Sequence, residues 1–244
     1  MSDVAPLLLC IEKLEKGRVL CIGDVMLDRF VYGNVERISP EAPIPVFQKL
    51  SEAVMLGGAG NVARNIAGLG GKTRFISVVG NDQAGRDLTT QIGNLENLDA
   101  RLITDASRKT SIKTRYIASG QQMMRADDET ISPINENIRK MVLDAAVLGL
   151  EDFSALVLAD YGKGVLSAGI AGELIQIARL KGIPVIVDPQ GSNYDNYMGA
   201  TLVTPNRKEL ADAIGLPADS TEEVVSAAAQ IARQSGIDAV LATR

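Results

Sequence analysis

Two apolar rhythms alternate along the chain. One is the short run seen at Arg18–Gly23, "RVLCIG", apolar almost throughout, the mark of a strand buried on both faces. Residues 74–79, 155–159, 184–187, 200–204 and 239–243 read as further strands. The other rhythm has helical spacing. Over 59–69 it places Val62, Ile66 and Leu69 on one face, and Gly70 and Gly71 stop the helix. More helices are expected from about Ala84, over 134–148 and 168–181, and from Asn206 and Thr221. Leu7, Ile11 and Leu14 fall at i, i+4 and i+7, predicting an amphipathic N-terminal helix instead of a signal peptide.

Two stretches break this βα alternation. Residues 31–56 carry Pro40, Pro43 and Pro45 and then "VFQKLSEAVML", which predicts extended, edge-type strands. Residues 99–127 contain "ARLIT", "TSIKTRYIA" and "QQMMRAD", whose apolar–polar alternation predicts antiparallel strands with one wet face. The expected fold is therefore α/β in a single domain over 1–244. It has a mainly parallel sheet with helices on both faces, and the two β insertions form one small sheet beside it.

Composition then removes function classes. Aromatic residues make up 4% and tryptophan is absent, against a nucleic-acid surface of stacked rings. A net charge of −5 argues against a phosphate-backbone binder. No apolar run reaches the length of a membrane span. Cys10 and Cys21 are the only cysteines, which fits free thiols in a reducing cytoplasm. The chain has no histidine, so His-dependent nucleophilic and zinc mechanisms are excluded. Chemistry must come from carboxylates, lysine, arginine, backbone amides or an oxygen-bound metal.

Parallel sheets bind ligands beyond the carboxyl ends of their strands. There the sequence supplies Asp24 and Asp28, Asn81 and Asp82, Asp160 in "DYGKG", Asp188 and Asn206. Such a rim suits hydroxyl recognition and Mg²⁺. Residues 54–73, "VMLGGAGNVARNIAGLGGKT", hold six glycines. A Walker A loop would need glycine where Ile66 stands, and a Rossmann fingerprint from Gly58 would need it where Ala63 stands. Gly57 and Gly58, just before a helix with Asn61 in its first turn, fit either a polyol cradle or a tight turn.

Taken together, "GDVMLDRFVYGNVERISPEAPIPVF", "GGAGNVARNIAGLG", "TSIKTRYIASGQQMMRAD", "LADYGKGVL", "VDPQG" and "TPNRKEL" resemble the ribokinase-like (PfkB) carbohydrate kinases. Within them they are most similar to the branch that phosphorylates a heptose 7-phosphate for ADP-heptose and lipopolysaccharide-core synthesis. The resemblance runs from about residue 17 to the end. It implies transfer of the ATP γ-phosphate to the sugar's C1 hydroxyl, with Mg²⁺. It implies a sugar site of Asp24, Asp28, Gly57, Gly58, Asn61 and Asp160. Arg115, Arg125 and Lys163 would hold the phosphate, because a sugar phosphate needs fixed cations. Asn206, Arg207, Lys208 and Glu209 would lie at the nucleotide, and Asp188 and Glu209 at the metal. The β insertions would form a lid that pairs into a homodimer. The family's D-x-x-G-A-G-D segment, which brings the catalytic aspartate and an anion hole, has no counterpart here. The expectation is a C-terminally truncated kinase with no catalytic residue of its own, weakly active or inactive alone, and with an exposed apolar flank. Asp160 and Asp188 are the remaining candidates for a substitute base. Another sugar substrate, or a non-catalytic sugar-phosphate-binding or dimerising module, are the competing readings.

Overall fold

The computed structural model describes residues 13–243. Leu7, Cys10 and Ile11, and so most of the expected N-terminal helix, lie outside the described residues. In chain order the main elements are β1 (Arg18–Gly23), β2 (Val25–Ile38), β3 (Pro45–Gly58), α1 (Ala59–Gly68), β4 (Lys72–Val79), α2 (Gln83–Gly93) and β5 (Leu98–Thr104). These are followed by β6 (Ser111–Ala118), β7 (Gln121–Asp128), α3 (Glu136–Val147), β8 (Ala155–Ala159), α4 (Ile170–Leu180) and β9 (Val185–Asp188). The last are β10 (Leu202–Val203), α5 (Arg207–Ile214), α6 (Thr221–Gln234) and β11 (Ala239–Val240).

The main sheet has the order β11-β10-β9-β8-β1-β4-β5, and every pairing in it is parallel. The central strand β1 is buried on both sides. Leu20 and Ile22 join the cluster under α3 and α4, while Cys21 joins the cluster under α1 and α2. Burial pushes the Cys21 thiol up to about 12, so it packs as a small apolar group.

A second sheet, β3-β2-β6-β7, stands beside the first. Strand β2 leaves β1 after a single residue, Asp24. It pairs antiparallel with β3 from Val25↔Gly58 to Ile38↔Pro45, with register shifts after Tyr32 and after Val35. The first shift needs a glycine, because a Cβ on Gly33 would strike the Phe47 ring. Strand β6 runs parallel to β2, and β7 returns antiparallel.

The structure departs from the sequence expectations in three places. "ARLIT" lies in β5, which is a parallel edge strand of the main sheet and not part of the small sheet. Its alternation arises because an edge strand is wet on one side, as an antiparallel lid strand would also be. The second difference is the packed face of α1. Ala59, Ala63 and Ala67 are buried, while Leu69 is 61% exposed and Val62 and Ile66 are half-buried. The helix lies so close to the strands that only small residues fit; even at Gly60 a Cβ would come within 3.0 Å of Val25. Third, β8 and β9 are fully covered on one face and only partly covered on the other. Val157 and Ile186 are half-buried while Leu156, Leu158, Val185 and Val187 are buried.

One hydroxyl joins the sheets where β1 gives way to β2. Fully buried Ser77 donates to the Gly23 carbonyl at 2.6 Å and accepts from the Val25 amide at 3.1 Å. Ser77→Ala strands both backbone groups in the interior. It is expected to cost about 1–3 kcal/mol, read as a lower urea midpoint at unchanged slope.

Candidate active site

Asp24 sits at the junction of the two sheets and is 1% exposed. One carboxylate oxygen accepts the amides of Tyr161 (2.9 Å) and Lys163 (3.0 Å), and the other accepts that of Val165 (3.0 Å). Burial raises its pKa, and the three amides oppose that rise. All three bonds hold the loop after β8 in place. Asp24 therefore shapes the site from beneath instead of presenting a free carboxylate.

The glycine pair lies directly above. Gly58 has φ 55 and ψ −135 and serves as the N-cap of α1 with no side-chain cap bond. A Cβ there would strike the Asp24 carbonyl and crowd Met26 and the Tyr161 ring. The Ala59 amide bonds the Asp24 carbonyl at 3.0 Å, and no side chain caps the remaining amides of the first turn of α1. Asn61 stands in that turn, and its carbonyl oxygen accepts from Arg64 at 2.7 Å. A Cβ on Gly57 would collide with the Asp28 carboxylate, which places Asp28 against the same glycine loop.

Above the loop, the small sheet carries charge in matched pairs. Asp28 forms an ion pair with Arg115, whose guanidinium lies 5.1 Å from the Phe30 ring centroid. Arg125 faces Arg115 across β6 and β7, and bonds Asp127 at 2.9 Å. Lys163 bonds Glu129 at 2.7 Å, while Lys113 bonds Asp127 at 3.0 Å and lies 3.7 Å from Glu129. Lys113 and Glu129 are additions to the residues expected from sequence. Lys113 had a signal, since it shares a strand face with Arg115 two residues on. Glu129 had none, because its place depends on the loop that follows β7.

A second region opens where β9 and β10 end. Val62, Tyr161, Asp188, Thr204, Asn206 and Glu209 line a groove of about 450 Å³. Its apolar floor is the partly covered face of β8 and β9. The Tyr161 hydroxyl donates to Asp188 at 3.1 Å, and its ring borders Gly58, so this residue joins groove and glycine loop. Burial pushes the Asp188 carboxyl above the usual range, against the Tyr161 and Thr204 hydroxyls. Asn206 and Glu209 form a capping box on α5, with bonds of 3.0 and 2.8 Å. Among the described residues no three acidic, cysteine or histidine side chains gather into a metal cluster. Asp188 and Glu209 nonetheless share the groove, and an ion that keeps several waters, as Mg²⁺ does, needs only one or two carboxylates.

Other expected site residues fall outside these regions. Arg207 turns away to the Ala218 carbonyl and Asp219. Lys208 is 84% exposed and pairs with Asp212. Asp160 accepts from the Tyr197 hydroxyl and the Gly162 amide, both at 2.8 Å, and borders a different cavity beside Gln190. Asp82, from the rim expected at strand ends, caps α2 and accepts the Thr110 amide.

The sequence pattern of the pfkB family carbohydrate kinases matches residues 16–244. Bifunctional protein HldE of Paramagnetospirillum magneticum (strain ATCC 700264 / AMB-1) is 52% identical over 244 residues, covering 100% of this chain and 50% of that protein. Its counterpart from Rhodospirillum rubrum is 50% identical over 234 residues, 96% of this chain and 47% of that protein. The chain spans about half the length of the curated relatives it matches. Among solved structures, the tetrameric inhibited form of phosphofructokinase-2 from Escherichia coli matches with a TM-score of 0.68 at 23% identity, over 91% of this chain and 71% of that one. The same enzyme in complex with fructose-6-phosphate gives 0.67 at 24% identity, over 93% and 73%. These structural matches establish the shared fold.

The triple clasp on Asp24 yields a direct test. An asparagine side chain has one acceptor oxygen, so Asp24→Asn leaves at least one buried amide unpaired. The expected loss is about 1–3 kcal/mol, with faster hydrogen exchange at Tyr161, Lys163 and Val165.

Proposed function

The chain belongs to the pfkB family of carbohydrate kinases, and on that premise we propose that it is the kinase module that transfers the ATP γ-phosphate to C1 of D-glycero-β-D-manno-heptose 7-phosphate. The observation that carries this reading is the juxtaposition of the Gly57–Gly58 backbone with the Asp28–Arg115 pair of the small sheet. Helix-end amides without a side-chain cap, an Asn amide and a carboxylate suit sugar hydroxyls. Fixed cations beside them suit a phosphate. The name of the half-identical relatives, Bifunctional protein HldE, supports the heptose branch over other sugar kinases.

Each group has a physical role in this reading. Asp28 and Asn61 orient hydroxyls, and Gly57 and Gly58 let the ring approach the backbone. Arg115, Arg125, Lys113 and Lys163 receive the distal phosphate, exchanging carboxylate partners for phosphate oxygens. The groove between Val62 and Glu209 takes ATP. Asp188 and Glu209 would hold Mg²⁺, which neutralises phosphate charge when bound. Asp24 keeps the 161–165 loop rigid, and rigidity matters because phosphoryl transfer rests on positioning and charge stabilisation. Asp160 and Asp188 already accept two hydrogen bonds each, so neither is assigned the base's role.

The proposal includes a homodimer through the small sheet, where Ile38, Leu50, Met123 and Met124 are exposed apolar residues, and a place in the cytoplasm. No helix among the described residues is long and apolar enough to cross a membrane.

Calorimetric titration tests the substrate. Heptose 7-phosphate is expected to bind in preference to fructose 6-phosphate and ribose. Asn61→Ala and Arg115→Ala should each weaken it by about tenfold or more, the worth of a charge-assisted or buried hydrogen bond. Equal indifference to all three sugars would sink the assignment. The metal call has its own test in pH. Asp188 can ligate a cation only when ionised, and its pKa is raised. Mg²⁺–nucleotide affinity should therefore begin to fall, on acidification, at a higher pH than an ordinary carboxylate would dictate, and Asp188→Asn should flatten the profile.

A further inference from the structure

The opposite edge of the main sheet holds a cavity of about 400 Å³, lined by the first residues of β1, β4 and β5 and by Phe153 just ahead of β8. It lies at the amino ends of the strands, away from both regions described above. We propose that this cavity is a second ligand site, one that takes a small polyphosphate.

The argument begins with charge. Among the described residues, Arg18, Lys72 and Arg74 line the cavity with a single acidic residue, Asp99. The chain as a whole carries −5, so the sign is reversed here. Asp99 is itself 76% exposed and reaches only the Nε of Arg74, at 3.3 Å. Arg18 and Lys72 have no ion-pair partner among the described residues.

The cations are also held together. The guanidinium carbons of Arg18 and Arg74 lie 5.9 and 5.2 Å from the centroid of one ring, that of Phe153. The ring is buried, 8% exposed, so it is a fixed platform. Arg74 is further tied to the Leu148 carbonyl at 3.1 Å. Two guanidiniums held near one ring repel each other, and an anion that contacts both relieves that repulsion. Their planar donor forks match phosphate oxygens two at a time. Lys72 adds a third positive charge at the rim. The cavity has room for two or more linked phosphates with a carrier group attached.

The probe is inorganic pyrophosphate, titrated calorimetrically into the intact chain without Mg²⁺. Saturable binding is expected. The double variant Arg18→Ala/Lys72→Ala should weaken it by about tenfold or more, since two charge-assisted contacts are removed. Asn61→Ala and Arg115→Ala, at the other end of the sheet, should leave that binding in place. Loss in the latter two variants with retention in the double variant would assign pyrophosphate to the kinase site and overturn the proposal. A second readout needs no variant: the ring proton resonances of Phe153 should shift as pyrophosphate is added, and unchanged resonances at saturation would equally overturn it. Parallel titrations use ADP, a linked diphosphate, and glucose 6-phosphate, a monophosphate. ADP binding that is lost in the double variant supports the site. Absence of pyrophosphate binding, pyrophosphate binding unchanged in the double variant, or glucose 6-phosphate binding as tightly as pyrophosphate refutes it.

Discussion

The architecture depends on how Asp24 is held. A single carboxylate, out of water at the end of β1, gathers three amides from the loop after β8. That contact joins the centre of the parallel sheet, the start of the small sheet and the floor of the glycine loop. Unpaired, a carboxylate in such a position would be costly; with three donors its charge is matched and its neighbours are fixed. The raised pKa of Asp24 records that burial still outweighs the amides. Ser77 bonds the backbone on both sides of Asp24, so main chain and side chain are restrained at the same point.

A second constraint is charge balance in the small sheet. Lys113, Arg115, Arg125 and Lys163 each rest on a carboxylate. Cations poised for an anionic ligand would repel one another without these partners. Asp28, Asp127 and Glu129 keep them close. On the proposed reading, a phosphate that entered would have to compete with carboxylates already in contact, and selectivity would turn on geometry and charge density more than on positive charge alone.

Much of this was legible in the sequence, in uneven measure. The buried run at β1 and the helical spacing that follows 134 and 168 are local patterns, and local patterns carry a parallel α/β fold well. The glycine turn ahead of α1 sits where residue type and chain position place it. Failures came where a third element decides. β5 looks like a lid strand until its neighbour is known to be β4. The core face of α1 is the alanine face because β1 and β2 come so close. Asp24 and Asp160 read as rim acids, yet each is consumed by partners more than thirty residues away. Arg18 and Arg74 look like scattered surface charges until Phe153 brings them over one ring.

The way β2 leaves β1 has a mechanical consequence. With a single residue between them, β2 is an arm clamped at its base. Its 14 residues span about 46 Å at ~3.3 Å each. A swing of about 5° at the clamp carries the tip through about 4 Å, by that same length, while Asp28, four residues out, moves by only about 1 Å. Any bending of the outer small sheet at that base would displace Asp28, and with it its contact to Gly57, far less than the tip of β2.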